Sequence, residues 1–527
     1  MPQRSFFHGA MVLIAASLVT RIMGFAYRIV LTRMIGAAGI GLFQMVFSVL
    51  SLILTFVTAG LPVAISKLVA EAIVQNDRVR VERILRVSVT VILSMAGVFT
   101  VLMWFGRHLI FHYWLTDPRA YPTYICMIPI VAVIAVSSIY RGYFQGLQDM
   151  SPPAWAAILE QTVRIASVWV LAAYFIHYSI AYAAAAAMIG MVLGEIAGLL
   201  FLVVQQRYRG RLSVILSDAP ARSLESAQQT LHAIIEIAAP VTLNRLIGSL
   251  IFAIEPVLVT RSLLKAGIST STATALYGQY GGMAIPLLVF PTVFTSSLAV
   301  NLVPAVSEAI ADDKRSRVDA RLNQTFIATA LVGLPASVVL TVFAEPLCRI
   351  IFGESSVGPI LALMAPAGFL LYLQGPLTGV LQGLNRAGMV TLNSSIGGVL
   401  RLLFVYLLAS RPHLGILGVA IALTISVTIT TGLHIWTTYR MIGFSVNFAD
   451  IGKILVATTV VLAVLTVLVP HPAHVTAGPL TAAIFAGVIV YFALLCAFGV
   501  LTVARVSRLP KIGIPLARVV RWMPFAH

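Results

Sequence analysis

The run GAMVLIAASLVTRIMGFAYRIVL occupies residues 9–31 and indicates which class of protein this chain belongs to. It is long enough to cross ~30 Å of hydrocarbon as an α-helix. It nevertheless contains two arginines, Arg21 and Arg28. An arginine at the centre of a bilayer costs roughly 2.5–3.5 kcal/mol on insertion scales, so such residues usually face a protein interior or a wet cavity. The run therefore predicts a membrane helix with one face turned toward a polar pathway.

Apolar runs of this length recur from one end of the chain to the other. Of its 527 residues, 59% are hydrophobic and only 10% are charged, and the mean hydropathy is +0.98. Backbone polar groups in lipid must be satisfied within their own segment, so each run is predicted to be an α-helix. We predict an all-α polytopic membrane protein with about fourteen transmembrane helices. The spans lie near 9–31, 40–66, 86–106, 122–147, 154–176, 178–204, 231–260, 274–300, 325–344, 357–384, 390–409, 415–438, 453–469 and 480–504.

The net charge of +17 is distributed unevenly along this topology. Of the 35 basic residues, 22 fall in the loops on the side of the N-terminus, 7 on the other side and 6 within spans. This bias follows the positive-inside rule and places both termini in the cytoplasm, with the chain in the cytoplasmic membrane. It also argues against nucleic acid as the partner of the basic residues. Because Arg21 and Arg28 interrupt the first apolar run, we interpret it as the first span and not as a cleaved signal peptide.

An internal repeat divides the chain into two halves. Six residues recur 237 positions later, and Pro, Gln and Arg are uncommon enough in spans for their shared register to be informative. They are Pro129, Gln145, Gly146, Leu147, Arg164 and Ala172, which return as Pro366, Gln382, Gly383, Leu384, Arg401 and Ala409. Arg21 with Gly24 resembles Arg245 with Gly248, and Pro62 with Ser66 resembles Pro304 with Ser307 more loosely.

The repeat predicts two parallel six-helix lobes related by an axis along the membrane normal, with the cargo site between them. The first lobe covers 1–204 and the second covers 231–440. A cytoplasmic linker, 205–230, joins them. Residues 441–527 add two transmembrane helices and a basic cytoplasmic tail.

Six arginines lie within the spans, and a cavity lined by guanidinium groups favours an anionic cargo, because such groups bind phosphate and carboxylate through two parallel hydrogen bonds. They are Arg21, Arg28, Arg141, Arg164, Arg245 and Arg401. Arg21 and Arg28 are seven residues apart and share a helix face with Gly24, so they could clamp a diphosphate. The substrate-binding candidates in the central cavity are Arg21, Gly24, Arg28, Asn244, Arg245, Glu255 and Arg401. For Glu255, a partner to the arginines, a coupling carboxylate and a fixed ion pair all stay open.

Other intramembrane charges are interpreted as structural or coupling groups. Glu160 precedes Arg164 by four residues, the favourable order for an intrahelical pair. Gly397 stands where the repeat would place a second such acid, so Arg401 has no matching carboxylate. Glu195 has no evident partner, and Arg141 is expected to extend its charged end toward the nearer membrane surface.

Signals for an enzyme or a bound cofactor are weak. No Walker motif and no catalytic constellation is evident, and the cysteines Cys126, Cys348 and Cys496 are scattered without the spacing of a metal site. We therefore expect a transporter with no metal, no cofactor and no enzymatic activity.

Several runs of sequence, in order along residues 5–440, resemble the stage V sporulation protein B family of the multidrug/oligosaccharidyl-lipid/polysaccharide exporter superfamily. They are RIMGFAYR from Arg21, GLPVAISKLVAE from Gly60, YRGYFQGLQDM from Tyr140, LEQTVRI from Leu159, LVPAVSE from Leu302 and YLQGPLTGVLQGLNRAG from Tyr372. The related MurJ family of lipid II flippases shares Arg21, Gly24, Phe25 and Ala26. Its next arginine would stand at Tyr27, and its adjacent arginines in the second helix are missing from SLILTFVTAG, which begins at Ser51.

The resemblance implies a MATE-like and MurJ-like transporter that works by alternating access. It implies a lipid-linked diphosphate oligosaccharide as cargo, lipid II in particular, moved outward for spore-cortex and cell-wall peptidoglycan. Its expected partners are this lipid, the surrounding membrane lipids, a coupling ion and peptidoglycan-synthesis proteins. Two alternatives stay open: a cation-coupled multidrug exporter of the same fold, and a membrane scaffold for wall-synthesis enzymes. The scaffold would not need buried arginines, and an organic-cation site would favour acids in the early helices.

Overall fold

The computed structural model describes residues 3–58, 60–208, 225–312, 315–443, 445, 447–469 and 475–502. Among these residues the regular structure is entirely helical, with no β-strand, so the prediction of an all-α fold is confirmed. Most of the predicted linker and the whole basic tail beyond residue 502 lie outside the described residues.

The first half of the chain forms seven helices and begins with a very long one. They are α1 (Gln3–Thr58), α2 (Leu61–Val74), α3 (Arg78–Phe105), α4 (Arg107–Tyr113), α5 (Tyr121–Gly146), α6 (Ser151–Phe175) and α7 (Ile180–Tyr208). A single 3₁₀ turn, Pro118–Ala120, precedes α5. Helix α1 is broken at Gly36, where φ is 65° and ψ is −177°, a backbone conformation that side chains with a Cβ rarely adopt.

The remaining helices are more often interrupted. They are α8 (Ala227–Lys265), α9 (Thr270–Tyr277), a π-helical segment (Gly278–Ala284), α10 (Ile285–Val289), α11 (Thr292–Ala311), α12 (Arg315–Val342), α13 (Ala344–Phe352), α14 (Gly358–Met364), α15 (Gly368–Gly383), α16 (Ala387–Ala409), α17 (Ile416–Ile442), α18 (Phe448–Leu468) and α19 (Ala477–Ala497). The predicted span 274–300 is therefore not one helix. It combines α9, the π-helical segment, α10 and the first part of α11.

Thirteen described segments are long and apolar enough to cross a membrane. The first, Ala16–Val74, has 59 residues, which at about 1.5 Å per residue suffices for two crossings of ~30 Å. It contains most of the predicted span 9–31 and all of the span 40–66, so thirteen segments account for about fourteen crossings. The chain is a multi-pass membrane protein.

Two compact units make up the structure. One consists of Met1–Gly282 with Val405–Ile416, and the other of Met283–Phe404 with Leu417–His527. In the first, α6 packs along α7, α7 on α5, and α1 on both α6 and α8. In the second, α15 packs on α11 and α12, and α18 on α19. Helix α8, which the repeat assigns to the second lobe, belongs to the first unit, and the lobe boundaries stay predictions.

Each unit contains one copy of the same helix packing, at the offset that the repeat predicts. In the first unit, a Cβ on Gly142 or Gly146 would come within 2.8 Å of the carbonyl oxygen of Pro62 or Ser66. In the second, a Cβ on Gly379 would lie 2.7 Å from the carbonyl oxygen of Ala299, and one on Gly383 would lie 2.8 Å from that of Val303. All four glycines therefore let two helices meet backbone to backbone. The looser match of Pro62 and Ser66 with Pro304 and Ser307 is wrong, because the packing pairs them with Ala299 and Val303.

Candidate functional site

Arg21, Gly24 and Arg28 lie on the first arm of α1, where this helix packs against α6. A Cβ on Gly24 would lie 3.9 Å from the side-chain nitrogen of Gln161, so this glycine marks the side of α1 that approaches α6. Arg21 is exposed and Arg28 is half-buried. The two arginines lie about two helical turns apart on α1, with Gly24 between them in the sequence.

Two phenol groups lie within electrostatic range of the guanidinium of Arg28. It interacts electrostatically with Tyr27 and Tyr277, which come from α1 and α9. Among the residues that the structure describes, its buried Nη1 nitrogen and the buried hydroxyl of Tyr27 have no hydrogen-bond partner. A buried donor that loses water without gaining a partner costs about 1–3 kcal/mol. Such a pair of donors is more typical of a binding site than of a packed core.

The candidates on α8 separate into exposed and buried residues. Asn244 and Arg245 are exposed. Glu255 is only 4% exposed and accepts a hydrogen bond of 3.0 Å from the hydroxyl of Tyr280. Pro240 and Pro256 lie inside the helix, where each removes one backbone donor. Tyr280, in the π-helical segment after α9, therefore holds Glu255 inside the first unit.

Arg401 lies on α16 in the second unit and is half-buried. At the positions equivalent to those of Arg141, Glu160 and Glu195, the second repeat carries Thr378, Gly397 and Gly432. The second copy of this helix packing therefore lacks both carboxylates.

The first unit instead contains a cluster of four charges, Arg141, Glu160, Arg164 and Glu195, contributed by α5, α6 and α7. Arg141 Nη2 lies 2.7 Å from Glu160 Oε2 and 3.6 Å from Glu195 Oε2. Arg164 pairs with Glu160 one helical turn away, and its Nη2 also lies 3.3 Å from Glu195 Oε1. The two positive and two negative charges balance, so Arg164 is neutralised within the protein.

The structure corrects two interpretations from the sequence, those of Arg141 and Glu195. Arg141 does not extend toward the membrane surface but pairs with Glu160, and Glu195 has two arginine partners. Neither contact could be read locally, because the partners are 19 residues apart for Arg141 and Glu160 and 31 apart for Arg164 and Glu195. The sequence feature that indicates these contacts is the pair of glycines in α7, Gly194 and Gly198, because small residues let α6 and α7 approach closely. A Cβ on Gly194 would lie 2.7 Å from the carbonyl oxygen of Glu160.

Two helices from different repeats cross in the first unit at a pair of equivalent glycines. A Cβ on Gly41 of α1 would overlap the carbonyl oxygen of Thr274 in α9, and a Cβ on Gly278 would overlap that of Ala37. Ala37 and Gly41 are the repeat equivalents of Thr274 and Gly278. The contact is therefore reciprocal, as across a two-fold axis. We call it the glycine crossing; sequence analysis predicted the repeat but not this contact.

Comparison with known proteins agrees with the fold. Residues 6–310 match the family described as polysaccharide biosynthesis protein, and residues 280–407 match the family described as MatE. Stage V sporulation protein B of Bacillus subtilis (strain 168) is 39% identical over 450 residues, which cover 85% of this chain and 86% of that protein. The lipid II flippase MurJ of the same organism is 25% identical over 422 residues, 75% of each chain.

A solved structure of lipid II flippase MurJ in an inward closed conformation superimposes with a TM-score of 0.69. It is 13% identical and covers 93% of this chain and 98% of its own, so it shows the fold. The relatives, together with the fold, place this chain among membrane transporters of the flippase type and not among enzymes. The chain belongs to the polysaccharide biosynthesis protein family and, within it, to the stage V sporulation protein B family.

Proposed function

We propose that this protein is a flippase that moves lipid II outward across the cytoplasmic membrane by alternating access, for peptidoglycan synthesis in the spore cortex and cell wall. The sugar–diphosphate head crosses along the arginines while the lipid tail stays in the bilayer. Membrane potential or an ion gradient drives the movement, and peptidoglycan-synthesis proteins use the product. The N- and C-termini lie in the cytoplasm.

The observation that carries this proposal is the buried guanidinium nitrogen of Arg28, which has no hydrogen-bond partner among the described residues. Arg21 lies two turns away on the same helix face. A diphosphate offers acceptor oxygens that a guanidinium binds in pairs, so it satisfies the donors that the protein leaves unpaired. The neutral four-charge cluster explains why Arg164 is not among the cargo ligands.

The cargo is supported by the name of one relative and by the charge of the first arm of α1. The relatives include a protein named as a lipid II flippase, at 25% identity. An exporter of organic cations would favour acidic side chains in this helix, whereas it carries Arg21 and Arg28 without an acid. Arg245, Asn244 and Arg401 complete the set of proposed ligands, with Glu255 as the carboxylate that responds to cargo or ion.

Replacing Arg28 with alanine is expected to slow the flipping of lipid II about tenfold to a hundredfold, because charge-assisted hydrogen bonds contribute about 1.5–3 kcal/mol. Arg28→Lys should restore only part of the rate, because an ammonium group cannot bind two phosphate oxygens in parallel. Purified protein in vesicles with labelled lipid II and an impermeant probe of leaflet exposure measures the rate.

Arg440→Ala serves as the matched control. Its guanidinium lies 4.8 Å from the ring centroid of Trp436, at the end of α17, and its loss should leave the rate unchanged. Normal flipping by Arg28→Ala and Arg21→Ala proteins would contradict the proposal. Export of cationic dyes without flipping of lipid II would instead identify a drug exporter, and normal wall synthesis in cells that carry both arginine variants would favour a scaffold.

A further inference from the structure

The connection between α4 and α5, residues 113–117, is bonded to two helices of the second repeat. The indole nitrogen of Trp114 donates to the carbonyl oxygen of Ala253 at 3.1 Å, and the hydroxyls of Thr116 and Thr260 lie 2.8 Å apart. Arg261 Nη2 donates to the carbonyl oxygen of Tyr113 at 2.7 Å. One short connection of the first repeat therefore holds α8 at three places.

Asp117 extends these contacts to α9. Its side chain is only 2% exposed. Its Oδ2 accepts hydrogen bonds of 2.7 Å from both Thr274 Oγ1 and Arg119 Nη2. Its Oδ1 accepts from the backbone nitrogen of Arg119 at 3.0 Å and so caps the 3₁₀ turn. Burial raises the pKa of Asp117, but the hydrogen bonds from Arg119 and Thr274 outweigh it and leave the pKa below its usual value. The carboxylate thus stays ionised and is bonded on both sides.

Thr274 takes part both in these hydrogen bonds and in the glycine crossing. Its hydroxyl donates to Asp117, and its carbonyl oxygen faces Gly41 of α1. Helix α9 is therefore held from two directions at Thr274. The hydroxyl of Thr274 also lies 2.9 Å from the carbonyl oxygen of Thr270 within α9, so release from Asp117 would leave it a partner in its own helix.

The other end of α8 is held in a different way. Arg80 at the start of α3 pairs with Glu225, just before α8, at 3.0 Å, and Arg83 donates to the carbonyl oxygen of Glu225. Glu225 is 38% exposed, and exposed ion pairs contribute little, about 0–1 kcal/mol. The bonds of residues 113–117 range from the exposed one of Arg261 to the fully buried one of Thr274, and they join this connection to the second repeat at four places. The more extensive hold on the second repeat therefore lies on the side predicted to face outward.

From this placement we propose that residues 113–117 form an outer latch, which closes the outward side by holding α8 and α9, and that Asp117 is its positioning residue. The inference rests on the alternating access in the proposed function, and it does not depend on the identity of the cargo. When the latch releases, Thr274 leaves Asp117 and α9 moves away from Gly41, so the outer end of the pathway opens. Arg119 keeps the freed carboxylate neutralised.

Labelling of a cysteine at Ala273 tests the latch without any cargo. Ala273 is fully buried next to Thr274, and cysteine adds only one sulfur atom there. The background carries alanine at Cys126, Cys348 and Cys496. Impermeant maleimide is added to the outside of intact cells. Asp117→Asn and Thr274→Val are each expected to raise the labelling rate about tenfold or more, because Thr274→Val removes the hydrogen bond to the buried carboxylate and Asp117→Asn removes the charge that strengthens this bond.

Thr274→Val keeps the Asp117–Arg119 pair, so it reports on the latch even if Asp117→Asn fails to fold. Thr272→Val is the matched control, because Thr272 is exposed at the start of α9 and its hydroxyl contacts only Ser269 in the described structure. Unchanged labelling in both latch variants, or labelling that occurs only from the inner side, would overturn the latch. Loss of lipid II flipping in the Arg28 variants has no bearing on this result, so the two proposals fail separately.

Discussion

Replacing Glu160 with alanine is expected to destabilise the protein by about 3–5 kcal/mol, the usual cost of breaking a buried ion pair from one side. Glu160 is 8% exposed and contacts both Arg141 and Arg164. Without it, two guanidinium groups share the single carboxylate of Glu195. Folded protein in the membrane fraction and the temperature of aggregation after solubilisation measure the loss.

A variant that removes one charge of each sign is the matched control. Arg141→Gln combined with Glu195→Gln leaves the pair of Glu160 and Arg164 intact, and should therefore cost much less than Glu160→Ala alone. Equal stability of Glu160→Ala and wild-type protein would refute a structural role for the cluster. Glu195→Gln distinguishes a structural role of the cluster from a role in proton coupling. If the cluster couples transport to protons, this variant changes the pH profile of flipping while the protein stays folded.

A single methyl group at Gly41 or Gly278 is expected to have the largest effect on transport. A Cβ at either position would overlap a backbone carbonyl oxygen, which cannot rotate away as a side chain can. Overpacking of this kind typically costs about 1–3 kcal/mol, which shifts the balance between closed and open crossings by roughly fivefold to more than a hundredfold. Gly41→Ala and Gly278→Ala should therefore slow flipping to a similar extent, because the contact is reciprocal.

The two changes act on one contact, so the double variant should cost less than the sum of the single ones. Gly97→Ala in α3 and Gly248→Ala in α8 are the matched controls, since no atom lies within 4 Å of a Cβ built at either glycine. Both should flip lipid II at the wild-type rate in the vesicle assay. Wild-type rates for Gly41→Ala and Gly278→Ala would show that the crossing does not close during transport.

Local and periodic features of this protein could be predicted from its sequence. The spans follow from hydropathy, because lipid offers no partner to a free backbone amide, and the pairing of Glu160 with Arg164 follows from their separation by one helical turn. Hydropathy predicts one helix over the span 274–300, because it measures polarity and not backbone geometry. The structure interrupts it with a π-helical segment that supplies Tyr280 to Glu255.

The sequence alone determined a multi-pass helical membrane protein, its internal repeat and the arginines within its spans, because hydropathy, charge bias and repeated residues depend only on residue type and spacing. Only the tertiary structure decided which charges neutralise one another, that Gly41 meets its own repeat equivalent Gly278 closely, and that Asp117 reaches Thr274. Those contacts join residues up to 237 positions apart, and their distances depend on helix packing that small residues allow but do not specify.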